Sequence, residues 1–172
     1  MTAGVLVAGI GNIFLGDDGF GSEVARCLAR AELPAGVLVV DYGIRGMHLA
    51  YDLLDGYDAL VIVDALPHDA APGDLVVLEV NADHLGTGEL DAHGMDPVAV
   101  LANLGVLGGT LPLTYIVGCQ PRDLDEHIGL SPPVAAAVDG AVTAVHALVN
   151  QQLAAILEGV ALAPATSERS TS

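Results

Sequence analysis

The chain has 172 residues, of which 22 are acidic and five are basic, so its formal net charge at pH 7 is −17. All five basic residues are arginines, and the absence of lysine excludes Walker-type phosphate loops and Schiff-base mechanisms, since both need a lysine amine. Phosphate backbones and anionic lipid repel a polyanion of this kind, so we expect no nucleic-acid partner and no membrane partner.

The length suits a single domain, which we assign to residues 1–160, followed by a tail at 161–172 that we predict to be disordered. Cys27 and Cys119 lie in apolar surroundings without a framework of paired spacings, which is typical of free thiols in a reducing compartment. The first residues lack the features of a secretory signal, so we predict a cytoplasmic protein. No run of about 18 apolar residues is free of charges and turn formers, which argues against a membrane span.

Short apolar runs bounded by glycine, proline or aspartate predict five strands. Most runs are continuous, which indicates strands covered on both faces, in a largely parallel sheet between two layers of helices. Apolar residues at three- and four-residue steps predict the helices between the strands. The predicted strands are 5–8, 37–40, 59–63, 75–80 and 113–117, and the predicted helices are 20–31, 46–55, one that opens at 96–97 and one that opens at 132.

Two aspartates, Asp17 and Asp18, lie in the glycine-rich segment GIGNIFLGDDGFG at 9–21, between the first strand and the first helix. A dinucleotide-binding turn needs a glycine where Phe14 stands, and two carboxylates at a helix N-terminus would repel a diphosphate. The same carboxylates can receive a cation or cap the helix. Helix capping is a stronger alternative for Asp17 than it is for Asp18, because one carboxylate is enough for a cap.

Asp64 ends the third apolar run, at the edge of an open α/β sheet where ligands bind. A carboxylate at the end of a buried strand needs a cation or hydrogen-bond donors beside it. The alternative to cation binding is that Asp64 caps the next turn. His93 follows Asp91 in the long polar loop 81–95, although a loop histidine taken alone is more often a surface residue. Two carboxylates and one imidazole would form an open three-ligand site suited to zinc, nickel or similar metals.

The remaining candidates are weaker. The segment 118–132 follows the fifth strand and could line the same edge, but Cys119 has no nearby base that the sequence identifies. No serine occupies a G-x-S-x-G elbow. His48 and His146 lie on predicted helices, where structural or exposed histidines are usual, and three further histidines have no evident partner: His68, His84 and His127.

Four motifs, in order, resemble those of the hydrogenase maturation proteases, which trim the C-terminal extension of large-subunit precursors of nickel–iron hydrogenases. These motifs are GIGNIFLGDDGFG at 9–21, DYGIRGM at 41–47, VDA at 63–65 and HIGLSPPV at 127–134, and the resemblance covers residues 4–158. It implies a three-layer α/β/α sandwich of the phosphorylase/hydrolase-like type. Its five-stranded sheet would be mixed and mostly parallel, with one antiparallel strand.

The resemblance also implies a metal-dependent endopeptidase in which Asp18, Asp64 and His93 are the catalytic residues and the metal ligands, with Asp17 as a candidate helper. The metal would be nickel supplied by the precursor, and cleavage would follow only when it is present. The implied partner is the large-subunit precursor, and we expect a monomer without a nucleotide cofactor. The alternative is a non-catalytic nickel-binding assembly module.

Overall fold

The structure is a computed structural model that describes residues 4–80 and 97–162. Within those residues it contains every predicted strand and helix, and four strands continue two or three residues beyond their predicted ends. They do so because glycine and aspartate still pair through their backbones at the carboxyl ends, as Asp64 does with Gly118. The elements are β1 (Val5–Ile10), a 3₁₀ turn (Gly16–Gly19), α1 (Phe20–Ala29), β2 (Val37–Gly43), α2 (Gly46–Leu53), β3 (Ala59–Ala65), β4 (Leu75–Val80), α3 (Pro97–Val106), β5 (Leu113–Cys119) and α4 (Pro132–Leu162).

The five strands form one sheet in the order β2-β1-β3-β5-β4. β1 is parallel to β2 and β3, β3 is parallel to β5, and β4 alone runs antiparallel, along β5. This confirms the mixed, mostly parallel sheet. The chain passes from β1 to β2 on one side and later returns to place β3 on the other. The carboxyl ends of β1 and β3 therefore form the switch point at which open α/β sheets bind ligands.

Helices cover both faces of the sheet, which confirms the three-layer sandwich. Val5 and Val7 of β1 pack with α1 and α4 on one face, whereas Leu6 and Ala8 pack with α2 and α3 on the other. All six residues of β1 are buried. Burial on both faces explains why the sequence of this strand is a continuous apolar run.

α4 is the one helix in the described part of the chain that is long and apolar enough, by length and composition, to cross a membrane. Its buried residues recur at three- and four-residue steps and pack against α1 and the sheet, as expected for a core helix of this fold. The apolar ones are Val134, Val138, Ala141, Val145, Leu148 and Val149, and the polar residue Gln152 is buried as well.

The first turn of α1 lies directly against the sheet because residue 21 is glycine. A Cβ atom on Gly21 would clash with the carbonyl oxygens of Ile10 and Val63, at the ends of β1 and β3. The position of this helix therefore carries the preceding 3₁₀ turn, with both aspartates, over the switch point between the two strands.

Candidate active site

Asp18 and Asp64 approach the same short turn, the one that follows β1. Asp18 Oδ2 accepts a hydrogen bond of 2.8 Å from the backbone N–H of Asn12. Asp64 is only 6% exposed, and its Oδ1 lies 3.6 Å from the point that a Cβ atom on Gly11 would occupy. The structure thus brings together the two carboxylates that the sequence singled out, beside the Gly11–Asn12 peptide.

Glycine at position 11 permits this approach. Its φ of 141° lies in a region that side chains rarely adopt, and a Cβ atom there would clash with the carbonyl oxygen of Asp18. Any side chain at Gly11 would push the 3₁₀ turn away from the end of β1. Gly11 therefore leaves the space that Asp18 needs at this position, without contributing a functional group of its own.

Asp17 has a different environment from its neighbour, because its side chain is completely buried. Its Oδ2 accepts hydrogen bonds from the backbone N–H groups of Arg122 (2.8 Å) and Asp123 (2.9 Å). Ser131 donates twice, from its N–H to Oδ1 at 2.6 Å and from its hydroxyl to Oδ2 at 2.8 Å. Asp17 thus fastens the segment after β5 to the 3₁₀ turn.

These hydrogen bonds also lower the pKa of the Asp17 carboxyl. Burial raises the pKa of its carboxyl, but the hydrogen bonds from Ser131, Arg122 and Asp123 outweigh burial and hold the pKa below its ordinary value. A carboxylate with a lowered pKa and four donors is a weak proton acceptor. The geometry favours an anchoring role for Asp17 over that of a helper base.

The interpretation of Asp17 or Asp18 as a helix cap is wrong. The N-cap of α1 is Gly19, and no side chain caps this helix. The aspartates lie in the 3₁₀ turn that precedes α1, and both carboxylates accept hydrogen bonds from other parts of the chain.

The segment between β5 and α4 lines the edge as predicted. The N–H groups of Gly16 and Asp17 donate to the carbonyl oxygens of His127 and Asp123, each at 2.8 Å. Within the segment, His127 Nε2 lies 2.8 Å from Asp123 Oδ2, and this contact raises the pKa of His127. The pKa of Asp123 is lowered, first by the backbone N–H of Asp125 and then by His127. Sequence reasoning missed this pair, although its four-residue spacing was a signal.

Cys119 ends β5 at the same edge but is not an activated nucleophile. Its side chain is completely buried, and burial raises the pKa of the thiol to about 11. The thiol therefore stays protonated near neutral pH, where a nucleophilic cysteine needs a lowered pKa. Cys27 is also a free thiol, as predicted, but it is only half-buried.

The third predicted ligand, His93, lies outside the described residues, as does Asp91. Within residues 4–80 and 97–162, no group of three histidine, cysteine, aspartate or glutamate side chains is placed so that it could hold a metal ion. Asp18 and Asp64 offer oxygen donors, which suit a divalent metal but leave room for further ligands.

Exposed apolar side chains lie at the edge of the sheet that holds the two carboxylates. They follow the carboxyl ends of β1, β2 and β5, which meet at one edge of the sheet. Solvent-exposed apolar residues concentrated in this way often mark a surface that binds another protein. We call this group the apolar rim; its members are Ile13, Phe14, Ile44, Met47, Leu124 and Ile128.

Comparisons with known proteins agree with this architecture. A family model described as hydrogenase maturation protease matches residues 22–148. The hydrogenase 2 maturation protease of Escherichia coli is 33% identical over 150 residues, which cover 86% of this chain and 91% of that protein. The hydrogenase expression/formation protein HupD of Rhodobacter capsulatus is 34% identical over 143 residues, 80% of this chain and 67% of that protein.

The solved structure of the hydrogenase maturating endopeptidase HybD from Escherichia coli has the same fold. It matches with a TM-score of 0.74 and 32% identity, over 86% of this chain and 93% of that one. The family model covers well over half of the chain, and the relatives exceed 30% identity over most of it. This chain belongs to the hydrogenase maturation protease family.

Proposed function

We propose that this protein removes the C-terminal extension of a nickel–iron hydrogenase large-subunit precursor after nickel has been inserted. One observation carries the proposal: Asp18 and Asp64 converge beside Gly11 at the switch point of the sheet. Family membership supplies the reaction class, hydrolysis of a peptide bond. Relatives named for hydrogenase 2 maturation and hydrogenase formation support a hydrogenase subunit as the substrate.

In this proposal, Asp18, Asp64 and His93 act as temporary ligands for nickel that is already bound to the precursor. Carboxylate and imidazole groups suit a borderline metal of this kind. Binding the metal from this side would hold the precursor so that its scissile peptide bond lies over the Gly11–Asn12 turn. The metal could then orient the bond or polarise its carbonyl for attack by water.

His93 is the least constrained ligand of the set, and the described element closest to it in sequence is α3. This helix starts four residues after His93 and packs against α2, where Asn103 Nδ2 lies 3.8 Å from Met47 Sδ. Met47 belongs to the first turn of α2, shortly after the carboxyl end of β2. α3 thus contacts the candidate edge at Met47, and the assignment of His93 as the third ligand rests on the family resemblance.

Replacing His93 by alanine tests this assignment, with His84→Ala in the same loop as the matched control. We expect His93→Ala to slow processing of a nickel-loaded precursor by about 100-fold, because one ligand of three is lost, and His84→Ala to have little effect. The measurement is the intact mass of the large subunit over time. Equal processing rates for His93→Ala and His84→Ala would show that His93 is not a ligand of the site.

The alternative function, a nickel-binding assembly module without catalysis, makes the opposite prediction for the same assay. Such a module would bind nickel tightly as the isolated protein and would leave every precursor at full length. Calorimetric titration with nickel, run beside the mass measurement, separates the two functions.

A further inference from the structure

An open groove of about 720 Å³ begins at the turn that carries Asp18 and runs between α1 and the start of α4. Its volume lies in the range of roughly 300–1,000 Å³ that is typical of ligand sites. Gly16 and Gly19 of the 3₁₀ turn lie at one end, and Arg26 and Asp139 lie on the two helices that form its walls. The groove therefore adjoins the turn that carries Asp18.

Part of the groove is apolar and open to solvent. Ile13 and Ile128, both members of the apolar rim, line it and are 46% and 71% exposed. Leu130 and Val138 add apolar surface that is more deeply buried. Covering these side chains would be favourable by about 25 cal/mol for each Å² of apolar surface removed from water.

The charged side chains of the groove are mainly acidic. Glu23, Asp41 and Asp139 line it, against the single cation Arg26, which forms an ion pair with Glu23. Asp41 Oδ1 accepts a hydrogen bond of 2.7 Å from the hydroxyl of Ser22. An occupant with basic side chains would be attracted to this lining, and anionic ligands would be repelled.

We propose that this groove binds an extended segment of the precursor that carries both apolar and basic side chains, next to the bond that is cut. The inference rests on the proposed function and names the part of the substrate that the site recognises. A second copy of this chain is a poor occupant, because each copy carries a net charge of −17. A phosphate-containing ligand is disfavoured for the same electrostatic reason.

Ala135→Trp tests the proposal, because Ala135 is an exposed residue on α4 that lines the groove and an indole there would fill it. Ala136→Trp is the matched control, since Ala136 is also exposed but does not line the groove. The probe is a fluorescently labelled synthetic peptide that spans the cut site and the extension of the precursor. We expect Ala135→Trp to raise its Kd, and the KM for precursor, at least about tenfold, with Ala136→Trp close to wild type.

A second pair of variants tests the charge of the groove. Asp139→Lys should weaken peptide binding by about tenfold, and Glu158→Lys, which makes the same charge change elsewhere on α4, should not. Replacing the basic residues of the peptide by glutamine should remove the difference between the two proteins. The wild-type affinity should also fall as salt rises.

These measurements separate the two proposals. Peptide that binds wild type but not Ala135→Trp, in a system where no precursor is cut, would support the groove and count against the protease function. Precursor cut equally well by Ala135→Trp and Ala136→Trp would overturn the groove and leave the protease function standing. Absence of peptide binding to the wild-type protein would also overturn the groove.

Discussion

Asp64→Asn should slow precursor processing by more than about 100-fold while the protein stays folded at the assay temperature. Asparagine has the size and shape of aspartate, so the buried end of β3 can keep its packing. It lacks the negative charge with which Asp64 would bind a divalent metal beside Asp18. The rate is measured on nickel-loaded precursor by intact mass, and folding is measured by thermal unfolding.

Asp55→Asn is the control for this variant, because Asp55 is exposed and precedes β3 at the opposite edge of the sheet. The substitution makes the same chemical change as Asp64→Asn, and the variant protein should process precursor at the wild-type rate. If Asp64→Asn retained more than about a tenth of the wild-type rate, Asp64 could not be a metal ligand of the site.

Asp17→Ala should lower the free energy of unfolding by about 3–5 kcal/mol. The substitution leaves the N–H groups of Arg122, Asp123 and Ser131 without their buried acceptor, so that only backbone hydrogen bonds still join the segment after β5 to the 3₁₀ turn. Processing should also slow, since that turn carries Asp18. Urea unfolding measures the stability, and Glu126→Ala, an exposed acid in the same segment, is the control.

The stability that Asp17 supplies depends on pH in a predictable direction. Because its pKa is lower in the folded protein than the ordinary 3.8, the contribution is complete above that value and is lost as the pH falls through the folded pKa. The difference in unfolding free energy between wild type and Asp17→Ala should therefore be constant near neutral pH and shrink in acid. A difference below about 1 kcal/mol at neutral pH would show that Asp17 is not the anchor.

The two carboxylates of the site could be predicted from the sequence because their positions follow from sheet geometry. Asp64 closes a buried strand and Asp18 follows another, and the carboxyl ends of neighbouring parallel strands share one edge. Their continuous apolar runs indicated both strands. The resemblance implied one antiparallel strand without saying which, since an apolar run carries no information about the direction of its pairing; the structure shows that it is β4.

The partners of Asp17 could not be predicted in this way. They are the backbone N–H groups of residues more than a hundred positions later, together with the hydroxyl of Ser131. Backbone donors leave no mark in a sequence, so the sequence suggested only a helix cap or a helper role for this aspartate. The groove was missed for a related reason, since it exists only where α1 and α4 come together.

Processing of the large-subunit precursor with and without nickel tests the central claim most directly. The wild-type protein is mixed with each form, and the intact mass of the large subunit is followed over time. We predict that the nickel-loaded precursor loses the mass of its C-terminal extension and that the nickel-free precursor keeps it. Equal cleavage of both forms would contradict nickel recognition by Asp18, Asp64 and His93, and full-length precursor in both would contradict the protease function itself.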